Sequence, residues 1–313
     1  MNKKSDELLH FGGQAVIEGV MMKSPNYISI AVRKPDKKIS IKTDKYKSLA
    51  KRCSLFKIPF IRGVGSLFEM LTIGIKALTY SANQALEEEE EKLSGFALFL
   101  TILLSMVFGI GLFVVVPYIL TVLLGIQEES QSILFNLVDG IIKMAIFVLY
   151  IYVISLMKDI HRIFQYHGAE HKAVNCHEAG EKLTIKNAKK FSRLHPRCGT
   201  SFLLLVIFIG IIIFSLIPLV LEIILPSFSQ IGWWSQRGIL LFSRLLFLLP
   251  VAGISYEVLK LAGAYRDSLI MKTIVFPGLC IQRLTTKEPT NKQLEVGITS
   301  LKAAMKAEKI DNC

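Results

Sequence analysis

The chain has 313 residues, of which 52% are hydrophobic, and its mean hydropathy is +0.47. A water-soluble protein of this length is usually less apolar, so the composition favours a membrane protein. A net charge of +12 on a soluble protein would suggest a nucleic-acid partner. Here the basic residues are concentrated in the segments that are predicted below to flank the membrane on its cytoplasmic side. This distribution explains the net charge, and we expect no nucleic acid to bind. The start, MNKKSDELLHFGGQ, lacks an apolar stretch, and we expect no cleavable signal peptide.

Four stretches are long and apolar enough to cross a bilayer, which requires roughly 20 residues. The first contains Gly109, Gly111 and Pro117, so this stretch could tilt, kink or form a re-entrant hairpin. The four stretches cover about Gly95–Leu124, Ile133–Met157, Phe202–Leu225 and Gly238–Ala262.

Lysine and arginine alternate between the segments that flank these stretches. Segments 1–94, 158–201 and 263–313 contain 16, 9 and 8 of them, whereas 125–132 and 226–237 contain 0 and 1. The positive-inside rule therefore predicts four crossings with both termini in the cytoplasm. The lipid bilayer is the one partner that this pattern requires.

The predicted fold class is an α-helical multi-pass membrane protein with four transmembrane helices. A small cytoplasmic α/β part is expected to form from the N-terminal, central-loop and C-terminal segments. The predicted organisation is a cytoplasmic segment over 1–94, transmembrane helices 1 and 2 over 95–157, a cytoplasmic loop over 158–201, transmembrane helices 3 and 4 over 202–262, and a cytoplasmic tail over 263–313.

Local patterns predict the elements of the three cytoplasmic segments. YISIAVR (27–33) and KISIKT (38–43) alternate apolar and polar residues around a turn, which is typical of a β-hairpin. GGQAVIEGVMM before them predicts one short strand, and Pro59 opens a membrane-proximal helix. In the tail, FPGLCIQRLTTKEP is expected to be extended, and Thr290 to Gln293 form a capping box for a terminal helix over about Asn291–Lys309.

The stretch YHGAEHKAVNC in the central loop contains the order H-x-x-E-H, which one class of zinc hydrolases uses. On a helix, His167 and His171 lie on the same face and can share a metal ion. Glu170 beside them offers a carboxylate that can activate water, so it is the candidate catalytic residue.

Two histidines do not complete a zinc site, which needs three protein ligands for catalysis or four for a structural role. His195 and Cys198 lie just before the third predicted span, and we expect them near His167 and His171 because both segments emerge at the same membrane face. A divalent ion, with zinc preferred, is the expected cofactor. An interfacial polar cluster without metal is the alternative, and a closed four-ligand site would be structural.

Cysteines and charged residues elsewhere offer further candidates. All five cysteines fall in predicted cytoplasmic segments, where disulfides are not expected, and Cys176 could join the site. Inside the predicted spans, Asp139 and Lys143 are one helical turn apart, and Arg244 lies at a similar depth. A structural ion pair is favoured there over a polar pathway.

Five segments of the chain, in this order, carry a family resemblance: GGQAVIEGVMMKSP, PFIRGVGSL, YHGAEHKAVNC, KFSRLHPRCGTSF and PGLCIQRLTTKEP. Together they resemble the YqhQ-like family of bacterial membrane proteins, which carries the label of predicted metal-dependent enzymes. The similarity extends from about Gly12 to Ile298. It implies metal dependence and adds Glu18, Arg266 and Asp267 as possible site members. Where tyrosine is expected after Cys176, this chain has His177, which makes His177 a poor candidate ligand.

Three functions are consistent with these patterns. The first is metal-assisted hydrolysis at the cytoplasmic membrane face, with Glu170 accepting the proton. The second is a non-enzymatic adaptor, or an assembly or regulatory factor for another membrane protein, with a structural metal site. The third and weakest is an ion or metal transporter that uses Asp139, Lys143 and Arg244.

Overall fold

A four-stranded antiparallel sheet is the first part of the computed structural model, which describes residues 11–86, 94–126, 131–265 and 268–311. The strands are β1 (Gly12–Val16), β2 (Gly19–Lys23), β3 (Tyr27–Arg33) and β4 (Ile39–Lys45), paired in that order. The predicted hairpin is β3–β4. GGQAVIEGVMM was expected to be one strand and instead forms a second hairpin, because Glu18 adopts a positive φ of 51° and turns the chain.

Helices make up most of the remaining described chain. They are α1 (Leu49–Arg52), α2 (Ile61–Ala85), α3 (Gly95–Ile110), α4 (Val116–Leu123), α5 (Ser132–Ser155), α6 (Lys158–Glu178), α7 (Ile185–Ala188), α8 (Gly199–Ile224), α9 (Trp233–Ala264), α10 (Leu269–Thr285) and α11 (Asn291–Asp311).

Four helical stretches of the described chain are candidate membrane spans by their length and composition: Gly95–Leu123, Ile133–Ser155, Gly199–Ile224 and Trp234–Ala264. The first stretch contains α3 and α4 and is continuous, with one π-helical turn over Gly111–Val115 and no hairpin. Pro117 lies just after this turn. Proline donates no N–H and crowds the carbonyl one turn earlier, so a widened turn at this place relieves both conflicts.

The structure corrects the expectation for the segment before the terminal helix. FPGLCIQRLTTKEP was predicted to be extended, but most of it belongs to α10, with Pro277 inside the helix. Val275, Gly278 and Ile281 of α10 are buried, and α10 packs on α8. Packing of this face outweighs the local preference of proline, whose missing N–H removes a single helical hydrogen bond.

The main core lies between the sheet, α6 and α11, so it unites three segments that are distant in the sequence. α6 occupies the centre and is buried on nearly all sides along its second half. α11 covers it, and the sheet closes the opposite face. The core residues are Val20, Met22 and Ala31 from the sheet, Tyr166, Ala169, Ala173 and Val174 from α6, and Leu294, Val296, Leu301 and Ala304 from α11.

The other face of the sheet is covered by α2. Val16, Met21 and Val32 pack there against Ala77 of α2. Because adjacent strand residues point to opposite faces, Met21 faces α2 while Met22 faces α6. A sheet buried on both faces needs apolar residues at consecutive positions, which explains the uninterrupted GVMM of β2.

The contact between α6 and the segment leading to α11 predicts that a methyl group added at position 168 destabilises the fold. A Cβ at Gly168 would lie 2.1 Å from the backbone carbonyl oxygen of Lys287. Alanine favours the helix by about 1 kcal/mol, but relieving this clash requires the backbone to move. We expect Gly168→Ala to lower the free energy of unfolding by about 1–3 kcal/mol, measured by thermal unfolding in detergent. Gly12→Ala is the control, because nothing lies within 4 Å of a Cβ there; equal stability of the two variants would contradict the packing described.

Candidate functional site

The buried second half of α6 carries three consecutive polar residues, Glu170, His171 and Lys172, which point in different directions. The Lys172 ammonium donates to the backbone carbonyl of Lys189 at 3.0 Å and pairs with Glu288 at 2.6 Å. Lys172 is therefore neutralised by its surroundings. His171 and Glu170 face other partners, and these define the candidate site.

Two imidazoles lie one helical turn apart on α6. The ring centroids of His167 and His171 are 4.4 Å apart. Nδ1 of His167 is 2.9 Å from the carbonyl oxygen of Thr285, and Nδ1 of His171 is 2.6 Å from that of Arg193. A carbonyl accepts only from an N–H, so each Nδ1 carries a proton, and in the neutral ring each Nε2 keeps a lone pair. This tautomer is the one that metal-binding histidines adopt when the second nitrogen is held by a carbonyl.

Cys198 completes the group from the opposite side. It is the residue that immediately precedes α8, and its Sγ lies 3.3 Å from Nε2 of His167 and 3.2 Å from the hydroxyl of Thr200. One ligand atom from each of His167, His171 and Cys198 lies within 4.8 Å of the others. We call these three residues the His/Cys cluster.

The donor set of the His/Cys cluster fits zinc. Zinc–nitrogen and zinc–sulfur bonds of about 2.0–2.3 Å place tetrahedral ligand atoms roughly 3.3–3.8 Å apart, and the Sγ–Nε2 distance of 3.3 Å agrees. Burial and the neighbouring His167 lower the pKa of His171, which favours the neutral ring that a metal ion needs. Three protein ligands leave one tetrahedral position for a further group.

The structure places His195 beside the cluster but outside the three-ligand group. Its ring centroid is 5.8 Å from that of His171. Nδ1 of His195 accepts from the backbone N–H of Arg197 at 3.3 Å, and Nε2 faces a Glu178 carboxylate oxygen at 3.5 Å. Arg197 also forms an ion pair with Glu178. Both ring nitrogens of His195 therefore face protein groups.

Gln282 of α10 was not identified from the sequence, yet it holds this region together. Its Oε1 accepts from the backbone N–H of His195 at 2.9 Å, and its Nε2 donates to the His195 carbonyl and to the Ser201 hydroxyl, both at 2.9 Å. The side chain is fully buried. It lies in PGLCIQRL, where the expected extended backbone would have directed neighbouring side chains to opposite sides.

Glu170, the predicted catalytic residue, is 5% exposed and packs against Gly13 of β1. A Cβ at Gly13 would come within 2.8 Å of the Glu170 side chain, so only glycine allows this approach. The Gly13 N–H donates to the carboxylate, and Oε2 has no hydrogen-bond partner among the described residues. Burial raises the pKa of Glu170 to about 7, although protonation of His167 and the Gly13 N–H both favour the ionised form.

The remaining predicted site members are placed elsewhere or lie outside the described residues. Glu18 forms an ion pair with Arg162 and accepts from the Tyr166 hydroxyl at 3.3 Å. The Cys176 thiol is buried 3.7 Å from the carbonyl of Lys182, and burial raises its pKa. Arg266 and Asp267 are not among the described residues.

The His/Cys cluster is enclosed. His171 is 2% exposed and Cys198 is 7% exposed, whereas His167 is only partly buried. Cavities of about 820, 550 and 460 Å³ are lined by other residues. Access to the cluster from solvent would therefore be along the side of His167.

The polar residues predicted within the spans form direct contacts. Lys143 pairs with Asp139, one turn earlier on α5. Arg244 of α9 donates to Oδ1 of Asn136 at 3.0 Å, which links α9 to α5. Asp139 is 5% exposed, and its Oδ1 has no hydrogen-bond partner in the described chain.

Together these features define a largely helical protein with four candidate membrane spans, a small antiparallel sheet and a His/Cys group that could hold a metal ion. Residues 58–307 match the family described as "Protein of unknown function (DUF1385)", and the chain belongs to this family. It is 34% identical over 317 residues to "Uncharacterized protein YqhQ" of Bacillus subtilis (strain 168), covering 95% of this chain and 93% of that protein. No solved structure matches.

Burial of the thiols predicts their reactivity toward iodoacetamide. Cys53 is exposed, whereas Cys176 and Cys198 are buried, and alkylation requires an accessible thiolate. We expect Cys53 to be modified at least tenfold faster than Cys176 and Cys198 in native protein. Peptide mass spectrometry over time gives the three rates, and the rates in denaturant serve as the control. Equal native rates would contradict the enclosed position of Cys198.

Pairing between Asp139 and Lys143 predicts strong coupling in a double-mutant cycle. Lys143→Met leaves the buried Asp139 charge without its partner, which typically costs about 3–5 kcal/mol. The double variant Asp139→Asn/Lys143→Met should lose clearly less free energy of unfolding than the sum of the losses in the two single variants. Unfolding in mixed detergents measures all four stabilities. Additive effects would show that the two side chains do not stabilise each other.

Proposed function

We propose that this protein is a metal-dependent membrane hydrolase that binds one divalent ion, preferably zinc, at the His/Cys cluster. The observation that carries the proposal is the convergence of the three ligand atoms within 4.8 Å. The carbonyls of Thr285 and Arg193 orient both imidazoles with Nε2 directed inward. Metal-binding histidines typically donate the N–H of their other ring nitrogen to a carbonyl in this way, whereas an apolar core needs no such hydrogen bond.

Each residue of the site has a role in the proposed chemistry. His167, His171 and Cys198 hold the ion, which when bound supplies the Lewis acidity that lowers the pKa of a water molecule. Glu170 follows His167 by one turn of α6, and its Oε2 makes no hydrogen bond to a described residue. That oxygen is the proposed proton acceptor. The Gly13 N–H binds the carboxylate and fixes its orientation.

A structural metal site in an adaptor or assembly factor for another membrane protein is the second candidate. The burial of His171 and Cys198 favours it, because structural zinc sites are closed whereas catalytic ones keep an accessible position. In this alternative Glu170 serves to bind the Gly13 N–H and to attach β1 to α6. The pairing of Lys143 with Asp139 supports a structural role for these residues and leaves transport as the weakest candidate.

The proposed location is a bacterial plasma membrane with both termini in the cytoplasm. Four apolar helices of sufficient length support insertion. The orientation is supported by the distribution of lysine and arginine, with 16, 9 and 8 in the three segments assigned to the cytoplasm. The substrate would then lie at the cytoplasmic membrane face.

Bound metal is the first test. Protein purified from metal-replete cells should contain about one zinc ion per chain by elemental mass spectrometry, and His167→Ala, His171→Ala and Cys198→Ser should each contain far less. Glu170→Gln and His195→Ala should retain the ion. His161→Ala, at an exposed position on α6, and Cys53→Ser are the matched controls. Absence of stoichiometric metal in wild-type protein would refute both metal-dependent candidates.

Two further measurements separate catalysis from a structural role. In the catalytic case, Glu170→Gln keeps the ion and lowers hydrolysis of a panel of ester, amide and phosphoester substrates by at least about 100-fold. In the structural case, Glu170→Gln has no effect on function, while chelation lowers the melting temperature by more than about 10 °C, which corresponds to a few kcal/mol. A melting temperature insensitive to chelation would exclude the structural candidate.

A further inference from the structure

A cavity with a partly polar lining lies where the sheet meets the candidate spans, and no residue of the His/Cys cluster lines it. It has a volume of about 460 Å³ and opens between β2, α1, α2 and the side chain of Tyr256 on α9. We call it the interfacial pocket. Its polar lining comprises Lys23, Tyr46, Ser48, Lys57, Arg62 and Ser66, together with Glu69.

The length of α9 supports a position of the interfacial pocket at a membrane surface. A helix of 32 residues is about 48 Å long, whereas the hydrocarbon core of a bilayer is about 30 Å thick. An α9 that crosses a bilayer therefore extends beyond the hydrocarbon. Its last two turns contain the polar residues Glu257 and Lys260 beside Tyr256, and we take this end as the one outside the hydrocarbon. In this arrangement the pocket lies at the level of the lipid headgroups.

The pocket contains more positive than negative charge. Lys23, Lys57 and Arg62 line it, whereas Glu69 is the acidic residue in its lining and Glu257 pairs with Arg62, so three cationic groups face two carboxylates. Glu69 is already engaged, because it accepts from the backbone N–H of Leu49 and lies 3.9 Å from Lys23. Burial lowers the pKa of Lys23, and Glu69 only partly opposes this effect. A bound anion would complete the charge balance.

Hydrogen-bond donors remain available in the lining. Arg62 uses Nε and Nη2 for Glu257, which leaves the N–H groups of Nη1 for a ligand. Ser48 precedes α1 and makes no side-chain capping bond. No acidic side chain of the described chain pairs with Lys57, which is exposed at the edge of the pocket. These groups suit a phosphate, which accepts several charge-assisted hydrogen bonds.

An apolar rim distinguishes this pocket from a site for a free phosphate. Leu55, Ile58 and Phe60 lie beside Lys57 in the chain and are about half exposed. The apolar stripe continues along α2 through Phe68 and Leu71, which are 57% and 55% exposed. Large apolar side chains beside a basic site at a membrane surface match the acyl chains that accompany a lipid headgroup.

We infer that the interfacial pocket binds the phosphate headgroup of an anionic glycerophospholipid, with Lys23, Lys57 and Arg62 as the charged groups and the apolar rim against the acyl chains. The inference uses no residue of the His/Cys cluster and does not depend on the proposed hydrolysis.

Native mass spectrometry of the full-length protein in nonionic detergent tests this inference. The probes are dioleoyl phosphatidylglycerol, dioleoyl phosphatidylcholine and water-soluble glycerol 3-phosphate, each titrated separately. We expect phosphatidylglycerol to bind at least about tenfold more tightly than phosphatidylcholine, and glycerol 3-phosphate to bind far more weakly than either. Lys57→Glu should reduce phosphatidylglycerol affinity about tenfold or more, the effect of losing one charge-assisted contact.

Two further variants keep the test decisive. Lys34→Glu makes the same charge change in the exposed β3–β4 turn and should leave affinity unchanged. Ser66→Leu fills the pocket without altering charge and should also weaken phosphatidylglycerol binding. Equal affinity for the two lipids, or full binding by Lys57→Glu, would overturn the inference. Tight binding of glycerol 3-phosphate would reassign the pocket to a soluble phosphate ester and overturn the lipid assignment.

Discussion

The burial of α6 between the sheet and α11 is the constraint on which the rest of this structure depends. A helix with apolar residues on all sides could be buried without hydrogen-bond partners for its side chains. The buried part of α6 instead carries Glu170, His171 and Lys172. Each of these needs a partner, since an unpaired polar group in a protein interior typically costs 1–3 kcal/mol. The partners are backbone groups of β1 and of the chain before α8, together with the Glu288 carboxylate after α10. Polar groups on one helix thus specify where three distant segments must lie.

The same constraint explains why backbone atoms orient so much of the site. The imidazoles of His167 and His171 donate to carbonyls, and the Glu170 carboxylate accepts from the Gly13 N–H. The amide of Gln282 in turn holds both backbone groups of His195. Backbone contacts of this kind do not depend on the identity of the side chain that contributes them. A sequence comparison would therefore not reveal Thr285 or Arg193 as partners, although the geometry of the cluster relies on their carbonyls.

Hydropathy and helical spacing predicted much of the architecture from the sequence. Long apolar runs gave the four candidate spans, and alternation gave the β3–β4 hairpin. The convergence of His167 and His171 with Cys198 followed from i, i+4 spacing and from the shared membrane face. The rest required tertiary information. Pro277 suggested an extended segment, but packing of α10 on α8 favoured a helix. The contacts of the predicted ligand His195 with Glu178 and the Arg197 N–H also depend on positions that no local pattern encodes.

Gln282 has a mechanical consequence for the cluster. Because it joins α10 to His195 and to Ser201 on α8, and because α10 ends at the carbonyl that orients His167, the ligands from α6 and α8 are braced by a third helix. Sliding of α8, together with the His195 segment that precedes it, along α10 would break three buried hydrogen bonds at once. The conformational entropy of arranging two imidazoles and a thiol is therefore lost during folding and not when a ligand arrives. Such preorganisation strengthens binding without adding a contact.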